Sequence, residues 1–165
     1  MHLIAAFLLL VSGAIAAPLS RPNIVILLSD DHGWANLGFI NPAMHTPNMM
    51  DLVSEGINIS HHYAFQFCSP TRSSLMTGRL PLHVNQHNSA EWPWTASPVD
   101  TRMRMISEVL QKEAGYYTSH VGKWHLGLSS KRYTPHGRGY NSSIGYLSGS
   151  EDHFDQRRGC EKCPA

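Results

Sequence analysis

The chain has 165 residues, 42% hydrophobic and 15% charged, with a formal net charge of +1. That is one domain's worth of chain with apolar material for a core. The near-neutral balance and the lack of any basic run argue against a nucleic-acid partner, and the eleven His are scattered rather than gathered in a tract.

Residues 1–17 read as a targeting segment rather than as fold. The apolar run 3–11 is too short to span a bilayer, and Ala14-Ile15-Ala16 is a small-residue cleavage pattern. The expectation is a secretory signal peptide over residues 1–16, cleaved after Ala16, followed by one domain over residues 17–165. No later stretch has the length of a membrane span, so the mature chain is expected to be lumenal or extracellular. That compartment permits disulfides, and Cys160 and Cys163 are open to pairing with each other or with partners elsewhere. A metal reading of that Cys-x-x-Cys pair lacks a second ligand pair. Asn58-Ile59-Ser60 and Asn141-Ser142-Ser143 are glycosylation sequons, with Asn58 and Asn141 as acceptors.

After Pro22, the run Asn23-Ile24-Val25-Ile26-Leu27-Leu28 predicts a strand buried on both faces, as in a parallel sheet covered by helices. It stops at Ser29-Asp30-Asp31-His32-Gly33. Two carboxylates at the carboxyl end of such a strand sit where open α/β sheets bind ligands, and like charges so close call for a cation. Hard ions such as Ca²⁺ or Mg²⁺ take carboxylate oxygens, while the plainer alternative is a solvated loop with one Asp capping the next turn. Thr46-Pro47 then opens a short helix with Met50, Leu52 and Val53 as its apolar contacts and Gly56 as its stop. Residues 57–60 alternate like a strand, and His61-His62 read as structure because neighbours on a strand point to opposite faces.

Phe67-Cys68-Ser69-Pro70-Thr71-Arg72 reads as a helix entrance, with Ser69 as N-cap, Pro70 at the first helical position and Gly78 as a left-handed close. Cys68 then stands where unpaired N–H groups and the helix dipole favour an anion, with the planar Arg72 fork in reach of an oxyanion. The alternative is a buried structural Cys before a capped helix. Residues 80–99 lack any period and predict a long loop, in which Trp92 and Trp94 pin the loop or line a cleft. Asp100 is expected to cap a helix with the apolar stripe Met103, Ile106, Val109 and Leu110, ending at Gly115. In the extended stretch that follows, Lys123 and His125 would share one face and Trp124 the other, and a Lys beside a His can hold an anion and handle a proton. An ordinary exposed strand end is the alternative there.

The spelling of these stretches carries a resemblance. Cys68-Ser69-Pro70-Thr71-Arg72 with Thr77-Gly78-Arg79 resembles the C-x-P-x-R…T-G-R signature of type I sulfatases, members of the alkaline-phosphatase-like superfamily. Residues 23–33 resemble that family's opening strand, residues 46–56 its T-P-N…L-x-x-E-G segment, and Gly122-Lys123-Trp124-His125-Leu126-Gly127 its G-K-W-H-L-G. Pro135-His136-Gly137-Arg138-Gly139-Tyr140 and residues 145–152 are similar in wording to the arylsulfatase B group. Together these segments span residues 23 to about 155, nearly all of the mature chain.

The resemblance implies an α/β fold, the N-terminal part of a sulfatase domain with a mostly parallel central sheet flanked by helices. It implies that Cys68 is oxidised in the endoplasmic reticulum by the formylglycine-generating enzyme, and that the formylglycine hydrate attacks the sulfur of a sulfate ester. It assigns Asp30, Asp31 and the modified Cys68 to a Ca²⁺ ion, with Mg²⁺ the lesser choice. It assigns Arg72 and Lys123 to the sulfate group and His125 to the proton transfers of the hydrate. The substrate implied is a sulfated small molecule or glycosaminoglycan-type sugar, such as an N-acetylgalactosamine-4-sulfate ester, in a lysosomal or extracellular setting. The family's metal site is completed by a later Asp-Asn pair, with a second His and a second Lys, and these have no counterpart in the 165 residues. The expectation is therefore an N-terminal portion that is poorly active and poorly folded by itself. A phosphoester or phosphonate hydrolase of the same superfamily and a non-catalytic secreted fragment that binds sulfated glycans are the alternatives.

Overall fold

The computed structural model describes residues 21–86 and 98–156, and the chain divides into two compact units, residues 1–47 and 48–165. The signal peptide, Trp92, Trp94, Cys160 and Cys163 lie outside the described residues.

In the first unit, residues 23–28 form no strand, and their side chains stand in solvent, Val25 at 89% and Leu27 at 79% exposure. This corrects the expected buried strand. A strand exists only when neighbouring backbone takes its hydrogen bonds, and no described strand pairs with this run. The apolar pattern remains that of a segment made for covering. A 3₁₀ turn, Trp34–Asn36, follows the acidic pair, and the Thr46 hydroxyl accepts the Gly38 N–H at 2.8 Å, which ties the end of this unit to its middle.

Helix α1, Pro47–Glu55, starts on the last residue of the first unit and otherwise belongs to the second, and none of its residues is buried. Proline at its first position matches expectation, whereas Met50 and Leu52 are exposed rather than packed. Residues 57–60 form no strand. Helix α2, Cys68–Thr77, starts one residue before the expected Ser69 cap. Phe67 is its N-cap, without a side-chain hydrogen bond, and Thr71 N–H donates to the Phe67 carbonyl at 3.2 Å. Pro70 fits because the first turn needs no N–H from it. Gly78 closes the helix at φ 66, its N–H donating to Ser74 O at 2.8 Å.

Helix α3, Ile106–Lys112, begins six residues later than Asp100. Its cap is Met105, whose N–H donates to the Glu108 carboxylate at 2.8 Å. Asp100 instead closes its own turn, accepting from Arg102 N–H at 2.9 Å and pairing with the Arg102 guanidinium. The expected stripe is shifted accordingly: Met105 is fully buried and Ile106 is exposed.

Strands β1, Ser119–Val121, and β2, Ser142–Ile144, pair in parallel with Ser119 opposite Ser142 and Val121 opposite Ile144. A parallel pair needs a crossover connection, here residues 122–141, which carry two 3₁₀ turns, Lys131–Tyr133 and His136–Arg138. Fold class is α/β, as expected, with helices beside a parallel pair. The core of this unit joins Met76 of α2, Val84, Val99, Met105, Trp124 and Leu126, with Met103 and Tyr140 packed against it.

The crossover is fastened from its buried side. Arg138 is 1% exposed and donates to the carbonyls of Val99, Asp100 and Met103, while Glu108 stands 3.2 Å from its guanidinium. Ser107 donates to the Arg138 carbonyl at 2.6 Å and Thr118 to the Gly139 carbonyl at 2.6 Å. These bonds satisfy polar groups that burial would otherwise leave costly.

Candidate active site

The site is assembled in the second unit by α2 and the strap of residues 122–127 that continues from β1. Cys68, at the first position of α2, is half-buried and in no disulfide. Arg72 lies four residues on, so both side chains share one helix face. Behind them the helix is locked: Ser73 is buried and donates to the Pro70 carbonyl at 2.9 Å, and Thr71 donates to the Phe65 carbonyl at 2.9 Å. Thr77 donates to Ser73 O at 2.7 Å, and Met76 enters the core.

The strap runs beside the chain that leaves β2. Gly122 N–H donates to Ile144 O at 2.8 Å, Trp124 N–H to Tyr146 O at 3.0 Å and His125 N–H to Leu147 O at 3.2 Å. Trp124 is buried, and its indole donates to the Tyr133 carbonyl at 2.9 Å. Anchoring this large side chain between Lys123 and His125 leaves those two half-buried at the surface of the unit. The expected simple alternation stops at His125, which adopts φ 56, a left-handed conformation uncommon for a side-chain-bearing residue. Its ring lies against Gly149: a Cβ there would stand 2.6 Å from His125 Cε1 and 2.8 Å from Nε2. Sequence reasoning missed Gly149 as a site residue, since one glycine among thirteen gives no signal of which ring it receives.

Arg72 Nη1 donates to the Lys123 carbonyl at 2.6 Å. This bond joins helix and strap, and so brings Cys68, Arg72, Lys123 and His125 onto one scaffold. The comparison with family models decides what that scaffold is: the Sulfatase model matches residues 22–164.

The chain belongs to the sulfatase family. Arylsulfatase G of Rattus norvegicus is 43% identical over 139 residues, a match that covers 82% of this chain and 25% of that protein. N-acetylgalactosamine-6-sulfatase of Canis lupus familiaris is 40% identical over 124 residues, covering 70% of this chain and 23% of that protein. The crystal structure of Ps i-CgsB superposes with a TM-score of 0.76 at 35% identity, covering 83% of this chain and 31% of that one. The chain thus spans about a quarter of the curated sulfatases it matches. Homologous sulfatases hydrolyse sulfate esters, and membership implies formylglycine and metal use in general terms.

In the first unit of this sulfatase chain, Asp31 is exposed and left-handed at φ 53, with Ser29 and His32 bonded side chain to side chain at 3.0 Å beside it. Asp30 and Asp31 supply hard carboxylate oxygens, the right donors for a hard divalent cation. Among the described residues, however, no group of three or more His, Cys, Asp or Glu comes together as a metal site. The acidic pair fits part of such a shell and falls short of the six to eight oxygens that Ca²⁺ takes. Also among the described residues, no helix is long and apolar enough to cross a membrane.

Proposed function

We propose that this chain carries the nucleophile, the cationic clamp and the proton-handling histidine of a formylglycine-dependent sulfate-ester hydrolase. The Arg72–Lys123 bond carries the reading, because it couples the helix bearing Cys68 to the strap bearing Lys123 and His125. An isolated structural cysteine would have no need of a guanidinium on its own helix face tied to a second motif 51 residues away.

In the proposed chemistry the formylglycine-generating enzyme of the endoplasmic reticulum oxidises Cys68 to the aldehyde, with dioxygen as the oxidant and loss of the thiol sulfur, and the aldehyde takes up water as a gem-diol. One hydroxyl attacks sulfur and the alcohol leaves. The second hydroxyl, giving its proton to His125, reforms the carbonyl and expels sulfate. Arg72 and Lys123 neutralise charge on the sulfuryl oxygens, the kind of electrostatic stabilisation that usually contributes most. Asp30 and Asp31 would contribute carboxylate ligands to a Ca²⁺ ion, whose charge would favour the ionised form of a hydroxyl bound to it. A single-hydroxyl side chain such as Ser would have no second oxygen with which to release sulfate.

The substrate proposed is a sulfated sugar, with sulfated N-acetylgalactosamine favoured by the name of the canine relative. The setting proposed is the secretory pathway, ending in the lysosome or outside the cell, with Asn58 as an exposed glycan acceptor. Asn141 is a less open acceptor, since its side-chain oxygen accepts from both the Thr118 N–H at 2.9 Å and the Thr118 hydroxyl at 3.0 Å.

The test is a mass spectrum of the peptide spanning residues 60–72 from protein secreted by cells that contain the formylglycine-generating enzyme. An aldehyde at Cys68 is expected, and an intact thiol throughout would overturn the reading. Matched aryl sulfate and aryl phosphate assays on the aldehyde form then separate sulfatase from phosphatase chemistry, with the sulfate ester turned over faster.

A further inference from the structure

The run of residues 23–28 lacks both cover and backbone partners. Among the described residues, its main chain makes no hydrogen bond. Its exposure alternates: Val25 and Leu27 stand at 89% and 79%, whereas Ile24, Ile26 and Leu28 stand at 51%, 53% and 40%. A period of two is that of a strand, here with one face half-covered by its own chain and the other open. The run has the usual length of a strand and contains neither a charge nor a proline. A bare apolar edge of this kind is a template for a further strand.

We propose that residues 23–28 are a self-pairing strand: two copies of this chain associate by laying the run antiparallel on itself, with Val25 opposite Ile26 of the second copy. Opposed residues of an antiparallel pair point to the same side of the ribbon. In this register Ile24 meets Leu27 and Val25 meets Ile26, so the open face of each copy lies on the side that the other copy's own chain half-covers. Each copy thereby supplies what the other lacks, hydrogen bonds along one edge and cover over Val25 and Leu27. That is the environment a run apolar on both faces calls for. Charge selects the direction. A parallel, in-register pair would set Asp31 beside Asp31 of the second copy, and like charges side by side destabilise a sheet. The antiparallel pair sets Arg21 across from Asp30 of the second copy, an attraction that adds to the partners each has in its own chain. A net charge of +1 leaves little long-range repulsion between copies. The surface uses no residue of α2 or of the 122–127 strap, so it stands apart from the sulfate-ester reading.

The test uses the protein as cells secrete it, kept in reductant so that no disulfide links two copies. Light scattering should show the mass rising from one chain to two with concentration. Amides of residues 23–28 should exchange at least about ten-fold more slowly in the dimer, as for hydrogen-bonded strands. Val25→Lys and Leu27→Lys should each weaken association at least about ten-fold, the scale for one apolar side chain left uncovered. Exchange at β1, β2 and Trp124 should match the parent chain in both variants, which shows that the second unit is intact. Without reductant, Val25→Cys mixed with Ile26→Cys should give the mixed disulfide at these positions in excess over either homodimer. A chain that stays monomeric, assembly beyond two copies, or association that both lysine variants leave intact overturns the proposal. Protection of residues 23–28 that ignores concentration does so as well, since the chain then covers the run itself. A preference for either cysteine homodimer overturns the register and with it the mutual cover.

Discussion

Arg72 and Lys123, 51 residues apart, are joined by a 2.6 Å bond from guanidinium to main-chain carbonyl. The bond uses the backbone carbonyl of Lys123 and not its ammonium. It makes the cationic clamp a product of two distant motifs, so that a change on α2 is felt on the strap.

Arg72→Lys is the sharpest probe of that bond. A lysine keeps the charge but loses the planar fork that can hold a carbonyl and an oxyanion together. Inorganic sulfate, titrated by calorimetry, should bind at least about ten-fold more weakly to the variant, in line with the loss of a charge-assisted hydrogen bond. Equal affinity would mean that Arg72 acts as a point charge only.

Gly149→Ala tests the seat of His125. A methyl 2.6 Å from the ring carbon forces the imidazole or the loop to move. The His125 ring resonances should shift while those of His136, which caps nothing in the site, stay in place. In a longer sulfatase that carries these residues as its N-terminal portion, turnover of an aryl sulfate by the aldehyde form should fall by about 10²-fold, the scale set by misplacing a catalytic group by about an ångström. Wild-type shifts and turnover would show that the ring has room.

Arg138→Ala removes a buried cation that ties three carbonyls and Glu108. Urea unfolding should show a loss of roughly 3–5 kcal/mol, the range for breaking a buried pair from one side. Arg138→Met, which retains the stem, should lose less. A loss under about 1 kcal/mol for alanine would place this guanidinium among surface-type contacts.

Asp100 gives a pH prediction. Hydrogen bonds from the Arg102 side chain and then from its backbone N–H hold the Asp100 carboxyl at about 2, below the ordinary 3.8. A depressed folded value means that the ionised form is favoured on folding, so its contribution is present above about pH 4 and is lost as pH falls through about 2. Carboxyl ¹³C shifts should give a midpoint near 2, and Arg102→Ala should raise it. An unchanged midpoint in that variant would assign the shift to something other than Arg102.

Cys68→Ala separates site from scaffold. The half-buried thiol is not a member of the core, so the melting temperature should change by no more than about 2 °C, as for a surface substitution. The peptide of residues 60–72 should show no aldehyde, and sulfate-ester turnover should vanish. A large drop in melting temperature would restore the structural-cysteine reading.

Local chemistry made several parts of this protein legible in its sequence. Pro47 at a helix start, Gly78 as a left-handed stop and the motif around Cys68 depend on neighbours in the chain, and the structure keeps them in place. The family, too, is written in short runs such as 68–72 and 122–127, as the match over residues 22–164 shows. Burial was less legible. Residues 23–28 have the composition of a buried strand, yet they are exposed, because burial and pairing belong to whatever lies beside a segment and not to the segment itself. Helix α3 moved to Met105 because the Glu108 carboxylate reached the Met105 N–H, while Asp100 found Arg102 first, a competition between two capping acids that spacing does not decide. The site divides in the same way. Sequence named Cys68, Arg72, Lys123 and His125 by type and motif, but only tertiary structure made the Lys123 carbonyl the acceptor of Arg72, turned His125 left-handed onto Gly149 and placed His120 beside two rings. Those relationships join residues up to 51 positions apart, and their geometry is fixed by packing, which no local pattern encodes.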